Sequence, residues 1–327
     1  MNTSEKEKDW LRRICGSQQT AVPGQATAAR EAGCRPAGKK KAPQGNGFKD
    51  IAGMDELKEL VTEGFVNVMK YPKHAAAYGI KPPSMLLYGP SGCGKTFFAE
   101  KMAEEVGINF MRVVPDDLAC TWVHGTQEKI GQLFRKAEEN APTLLFFDEF
   151  DAMVPKRAGS DHSQHYDSEV NEFLCCLGNA SERGVYVVAA TNHPENIDKA
   201  VLRTGRIDEM VYIDMPDREA RRNLFAMALS KLPTEEDIDV DRLAEQTEGY
   251  NCSDICYIVE SAARKKFSET VNQDSETCLP ISQALLEQTV SRTRPSVKSG
   301  DLRDYERVRD GFNPKSRGEC PARIGFR

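Results

Sequence analysis

Four short groups of residues in this 327-residue chain are of types that act on phosphate. The first is Gly89-Pro90-Ser91-Gly92-Cys93-Gly94-Lys95-Thr96, with the spacing G-x-x-x-x-G-K-T. Glycines let successive backbone N–H groups turn inward around phosphate oxygens, and a helix after the loop adds its positive N-terminal end. Lys95 places a cation beside the β- and γ-phosphates of a nucleoside triphosphate, and Thr96 offers a hydroxyl to Mg²⁺. The second group is Asp148-Glu149, at the end of the apolar run Leu144-Leu145-Phe146-Phe147. Asp148 can hold Mg²⁺ through water, and Glu149 can orient and deprotonate an attacking water. The third is Thr191-Asn192, where an amide can hold that water or the γ-phosphate. The fourth is Arg203 and Arg206 around Gly205, whose guanidinium forks match phosphate oxygens and stabilise charge in phosphoryl transfer.

These groups need a scaffold that brings them together. An apolar strand, Met85–Tyr88, enters the glycine-rich loop, and a periodic helical segment, Phe97–Val106, leaves it. The pattern then predicts a strand at Asn109–Val114, a helix at Gln127–Asn140 and a buried strand at Thr143–Phe147. A helix at Asp167–Leu177 comes next, then strands at Val185–Ala190 and Glu209–Ile213. Strands alternating with helices imply an α/β fold with a mainly parallel sheet covered on both faces. Ligands of such sheets bind at the C-terminal ends of the strands, where the loop and the acid pair sit. Ahead of the sheet, Met54–Tyr71 reads as an amphipathic helix with Leu57, Leu60, Val61, Phe65 and Val68 near one face, ended by Pro72.

From Asp217 the pattern changes. Arg218–Leu229, Val240–Gln246, Ser253–Lys266, Ser282–Val290 and a short Leu302–Arg309 read as helices, with no further strand pattern. The expected organisation is a disordered leader over 1–46, an α/β unit over 47–214, a helical unit over 215–312 and a loose tail over 313–327.

Composition narrows the function. The net charge of −6 hides a leader of +5, which leaves −11 for the remainder and argues against general nucleic-acid binding. No apolar run approaches the roughly 20 residues of a membrane span, so stable membrane insertion is not expected. The ten cysteines form no C-x-x-C, and a reducing cytoplasm is the simplest home. Cys93, inside the phosphate loop, reads either as a neutral spacer or as a redox-sensitive thiol. No histidine is followed by glutamate, which removes H-E-x-x-H metalloprotease chemistry.

Taken together, Asp50-Ile51-Ala52-Gly53, Gly89–Thr96, Leu144–Glu149, Ala189–Asn192 and Ala200–Asp208 make the chain, from Phe48 to about Phe312, resemble the AAA ATPase family in its cell-division-cycle and katanin-like branch. The resemblance implies a P-loop sheet of five parallel strands in the order 5-1-4-3-2 with a small all-helical lid. It implies ATP and Mg²⁺ between the two, and a homo-oligomeric ring, a hexamer. In such a site Asp50, Ile51, Ala52 and Gly53 lie beside adenine, with Phe97, Cys252 and Ser253 also against the nucleotide. Asn192 is the first sensor, and Arg203 and Arg206 reach the ATP of the neighbouring subunit. The implied activity is ATP hydrolysis coupled to remodelling of polypeptide substrates, taken directly or from an adaptor. A DNA-associated motor and a nucleotide-dependent scaffold are the alternatives.

Trp122 and Val123, in Thr121-Trp122-Val123-His124, fall where the family carries its substrate pore loop. An aromatic there can grip an extended peptide without reading its sequence. Four positions depart from the family pattern: His124 for a glycine, Leu177-Gly178 for Asp-Gly, Cys252-Ser253-Asp254 for Gly-Ala-Asp, and Ala228 for a histidine near adenine. Pro295-Ser296-Val297 with Leu302 and Tyr305 resembles the C-terminal helix of the katanin-like branch. That segment reads either as packing on the large unit or a neighbour, or as local capping of the lid.

Overall fold

The structure is a computed structural model that describes residues 45–118, 125–156, 171–198, 200–203, 205–273, 277–298, 300, 302–303, 305 and 307–308. The predicted leader up to residue 44, the pore-loop residues Trp122 and Val123 with Thr121 and His124, and the predicted tail over 313–327 lie outside the described residues.

Five strands form one parallel sheet: β1 (Met85–Tyr88), β2 (Asn109–Val113), β3 (Thr143–Phe147), β4 (Val185–Thr191) and β5 (Glu209–Tyr212). Their order is β2-β3-β4-β1-β5. This is the expected 5-1-4-3-2, read from the opposite edge. The side-chain period of two divides each central strand between two cores. Leu86, Leu145, Phe147, Val185, Val187 and Ala189 face one side, where Ile130 and Phe134 of the helix Gly125–Glu139 and Phe173 of the helical segment 171–177 cover them. Phe147 and Phe173 meet edge to face at 4.9 Å. Met85, Leu87, Leu144, Phe146, Val188 and Ala190 face the other side, under Phe98 and Met102 of the helix Lys95–Val106 and Val61, Phe65 and Val66 of the N-terminal helical segment. Burial on both faces explains why these strands read as continuous apolar runs.

The N-terminal segment corrects one expectation. The predicted continuous helix is interrupted: Asp55–Val61 passes through a π-turn, Thr62–Val66, into Asn67–Lys70. A π-turn inserts an extra residue into the winding and rotates the helix beyond it. Val61, Phe65, Val66 and Val68 are buried, whereas Leu60, predicted on the same face, is half exposed. Pro72 does stand at the end of this segment, and it also opens a further short helix, Pro72–Ala77, that the apolar pattern does not signal.

Beyond the sheet lie the helices Arg218–Leu229, Val240–Gln246, Cys252–Asn272 and Gln283–Arg292. Each starts with a side-chain cap: Asp217, Asp239, Asn251 and Ser282 accept from Ala220 N, Arg242 N, Asp254 N and Leu285 N. Such caps satisfy backbone donors that the helix itself leaves unpaired. The helices share a core of Phe225, Leu243, Ile255, Ile258, Ala262 and Leu286. Of the predicted final helix, the described residues 302, 303, 305, 307 and 308 are helical.

Candidate active site

Parallel strands end at one edge, so the loops after β1, β3 and β4 converge. Tyr88 pairs with Thr191, so Gly89 and Asn192 leave the sheet side by side. Phe147 pairs with Ala189, which brings Asp148 and Glu149 out beside the end of β4. The three predicted groups meet because of this register.

The phosphate loop has room for no side chain at Gly89, whose φ is 148°. A Cβ there would stand 2.1 Å from the backbone oxygen of Ile213, which is itself held by the Ile213 N to Tyr88 O bond of 2.8 Å. Neither partner can move without opening the sheet edge. Gly89→Ala is therefore expected to destabilise the fold by about 3 kcal/mol, read as a lower midpoint in thermal or urea unfolding. Gly92 and Gly94 also have positive φ, 77° and 88°. At Gly94 a Cβ would meet nothing within 4 Å, so open space borders the loop at the start of the helix Lys95–Val106.

Lys95 is buried and folds back on its own loop, donating to Gly89 O at 2.9 Å and Pro90 O at 2.8 Å. Burial pushes its pKa down to about 8, with Cys93, Asp148 and Asp151 opposing that fall. Thr96 Oγ1 donates to Asp148 Oδ2 at 3.1 Å. Asp148 Oδ1 accepts from Glu149 N at 3.1 Å, and Oδ2 also accepts from Arg112 Nη2 at 2.6 Å. Arg112 was not singled out from the sequence; a lone cation in the strand NFMRV, one strand away from the acids, was its only signal.

Glu149 is exposed and sits at φ 51°, ψ 47°, capping the short helix Phe150–Met153. A non-glycine residue in the left-handed region costs of order 1 kcal/mol, and such strain recurs at functional sites. On β4, Thr191 Oγ1 donates to Asp151 Oδ1 at 2.6 Å and accepts from His193 N at 2.8 Å. The Asn192 carbonyl accepts from Tyr305 Oη at 2.7 Å.

A cavity of about 320 Å³ opens beside the loop, between the turn Gly47–Asp50 and the helices beyond the sheet. Asp50, Ile51, Ala52, Gly92, Cys93, Gly94, Phe97, Cys252 and Ser253 line it, as does Ala228. Gly53 is not among the lining residues; a Cβ there would strike the Ala220 side chain at 2.7 Å, so its role is close packing. Met227 and Cys256 also line the cavity and were missed, because nothing in their helices distinguishes a wall residue from a core one. Asp50 is tied to Lys101 at 2.7 Å and to Asn46 at 3.0 Å. Partial burial pulls its carboxyl upward, but these two partners outweigh it and hold the pKa below the ordinary value.

Burial acts on two of the thiols at this cavity, Cys93 and Cys252. Burial pushes the Cys93 thiol up to about 12, with the neighbouring Cys252 adding to the rise. Its Sγ lies 3.5 Å from Met215 Sδ. Cys252 is likewise raised to about 12 by burial. A thiol needs its thiolate to react, so the raised thiol favours the neutral-spacer reading of Cys93 over the redox one.

The helix Cys252–Asn272 touches the phosphate loop directly. Asn251 Nδ2 donates to Ser91 O at 3.0 Å, and Ser253 N donates to Gly92 O at 3.1 Å. Neither Arg203 nor Arg206 lines the cavity. Arg203 is exposed, whereas Arg206 Nη1 donates to Ala200 O at 2.6 Å within its own loop.

Comparison with known proteins agrees with this geometry. Residues 85–215 match the family model described as "ATPase family associated with various cellular activities (AAA)", and residues 237–279 match that of the AAA+ lid domain. A cell division cycle protein 48 homolog of Archaeoglobus fulgidus is 34% identical over 276 residues, covering 81% of this chain and 38% of the relative. A protein named as a cell division cycle ATPase in Plasmodium falciparum is 32% identical over 80% of this chain and 21% of its own length. One named as a ribosome biogenesis ATPase in Dictyostelium discoideum is 31% identical over 84% and 32%. The chain thus spans between about a fifth and two fifths of these relatives. With the sheet under one family model and the helices beyond it under the other, this chain belongs to the AAA family of ATPases.

Proposed function

We propose that the chain hydrolyses ATP at the C-terminal edge of its sheet and, in a ring of copies, uses the cycle to remodel polypeptides. The observation that carries this reading is the convergence of the phosphate loop, the Thr96–Asp148 pair and the exposed Glu149 at one edge. The open space beside Gly94 suits a phosphate group, and the cavity beyond Phe97 suits a nucleoside base.

Thr96 Oγ1 and Asp148 Oδ2, 3.1 Å apart, are hard oxygen donors of the kind Mg²⁺ takes. They would hold the ion, which would supply positive charge to offset that of the phosphates. Lys95 supplies a second positive charge once phosphate oxygens replace its carbonyl partners. Glu149 takes a proton from water as the water oxygen attacks the γ-phosphorus, the bond to the β-phosphate oxygen breaks, and ADP and phosphate leave. Asn192 holds that water or the γ-phosphate from the neighbouring strand. Arg203 and Arg206 stand off the cavity of their own chain, which suits a role on the site of the next copy, and makes hydrolysis depend on assembly.

The relatives are named for the cell division cycle and for ribosome biogenesis, two of them as ATPases. In this chain the substrate contact is assigned to Trp122 and Val123 on the pore side of a hexameric ring, in the cytoplasm. Substitution of Trp122 by alanine should leave ATP turnover within twofold and lower the unfolding rate of a tagged substrate at least tenfold. Equal unfolding at equal turnover removes peptide threading from the reading.

A further inference from the structure

We infer that the contacts of Thr293, Ser296 and Tyr305 form a strap that sets the position of Asn192, and that Tyr305 is a positioning residue for ATP hydrolysis; this rests on the function proposed above. The first observation is the 2.7 Å hydrogen bond from Tyr305 Oη to the Asn192 carbonyl, which joins residues 113 apart in the chain. Asn192 stands one residue past Thr191, beside the start of the phosphate loop and across β4 from the acid pair. Tyr305 therefore touches the backbone of the amide-bearing residue at the point where the γ-phosphate and the attacking water must meet.

The second observation is where the other end of the strap is fixed. Tyr250 Oη donates to Thr293 O at 2.7 Å, at the strap's start. Ser296 donates to the Asp254 carboxylate through its backbone N, at 3.1 Å, and through its hydroxyl. Asp254 is buried and closes a capping box with Asn251, accepting from Asn251 N at 3.2 Å and donating through its own N to Asn251 Oδ1 at 2.8 Å. Asn251 and Ser253 in turn hold the carbonyls of Ser91 and Gly92. Polar contacts thus run from the phosphate loop, through the start of the lid helix and the strap, to Asn192 beside the start of that loop.

The consequence is mechanical. The Asn192 peptide cannot rotate without losing the phenol, so its side-chain amide is presented at a set height above β4. A lid that moves on its nucleotide carries the strap with it, and the strap carries Asn192. A contact that places a group for the transition state acts on turnover more than on ground-state binding.

Tyr305→Phe keeps the ring and removes only the hydroxyl. In the full chain with Mg²⁺ and ATP, kcat should fall about three- to tenfold, the change expected for one lost hydrogen bond. The Kd for a non-hydrolysable ATP analogue should stay within twofold, and the melting temperature should not move by more than about 2 °C. In an Asn192→Ala background the same change should add nothing, since no amide remains to be placed. Turnover unaffected by Tyr305→Phe, or an equal loss in both backgrounds, overturns the inference. So does a loss that tracks self-association and disappears at high protein concentration, which would make Tyr305 an assembly contact. A wild-type chain that hydrolyses ATP while Tyr305→Phe matches it removes the strap alone. A wild-type chain with no turnover removes both the strap and the reading beneath it.

Discussion

Lys95→Ala should weaken nucleotide binding by about a hundredfold or more without unfolding the chain. The ammonium is buried against its own loop, and a phosphate has only to replace two neutral carbonyls to reach it. Truncating one partner of a buried charge pair costs about 2–5 kcal/mol, so ATP affinity should fall by about a hundredfold or more. Isothermal calorimetry or a fluorescent nucleotide measures this; unchanged affinity would remove Lys95 from the site. The lowered pKa adds a second test. Without phosphate, burial sets the ammonium's pKa at about 8. Nucleotide restores a negative partner and favours the charged form, so binding takes up a proton above that pH. Affinity should therefore weaken as pH rises past about 8, by up to about tenfold per unit, and this slope should vanish in Lys95→Met.

The same group affects stability with the opposite sense from a salt-bridged lysine. Its folded pKa of about 8 lies below the ordinary 10.5, so between those values the unfolded chain holds more protons. Stability contributed at this position accordingly rises with pH through that window. Lys95→Met should lose that rise, while its stability near pH 7 should equal or exceed the wild type, because the cost of burying an ammonium is gone.

Glu149→Gln gives the second large effect: ATP retained, turnover reduced by about 10²–10⁴-fold. The amide keeps the volume and the exposed position of the side chain but cannot take a proton. A single-turnover assay beside a binding assay separates the two, and turnover within a few-fold of wild type would discard Glu149 as the base. Arg203→Ala should also leave binding nearly intact while hydrolysis is lost. The two defects differ in which copy they affect. If Arg203 acts on the next copy's ATP, mixing the two inactive proteins pairs an intact Glu149 with an intact Arg203 at some interfaces. A fraction of activity should then return. No recovery at any mixing ratio excludes a shared site.

Leu60 and the lid helix show where sequence periodicity stops being informative. Leu60 fits the apolar face of an unbroken helix, yet it is half exposed beside buried Val61 in the turn before the π-turn Thr62–Val66. The lid helix, expected to end at Lys266, continues to Asn272. Its last six residues include exposed Phe267 and Val271, so no buried stripe marks them. Apart from Glu269 these are weak helix formers; the Lys266–Glu269 ion pair at 2.9 Å and the Thr270 hydroxyl bond to Lys266 O accompany the extension.

What the chain's order of residues determined by itself is local. Each central strand carries its buried pattern within four to seven residues, and the loop, acid pair and caps are short motifs whose geometry comes from their own backbone. Tertiary structure alone decided which distant groups meet them. Arg112 reaches Asp148 because β2 pairs with β3 in one register, and Tyr305 reaches Asn192 because the strap crosses from the lid to β4. The cavity wall from Leu224 to Lys231 and at Cys256 likewise exists only once the lid is docked. Such contacts depend on the relative placement of whole elements, and nothing in the spacing of residues along one element encodes that placement.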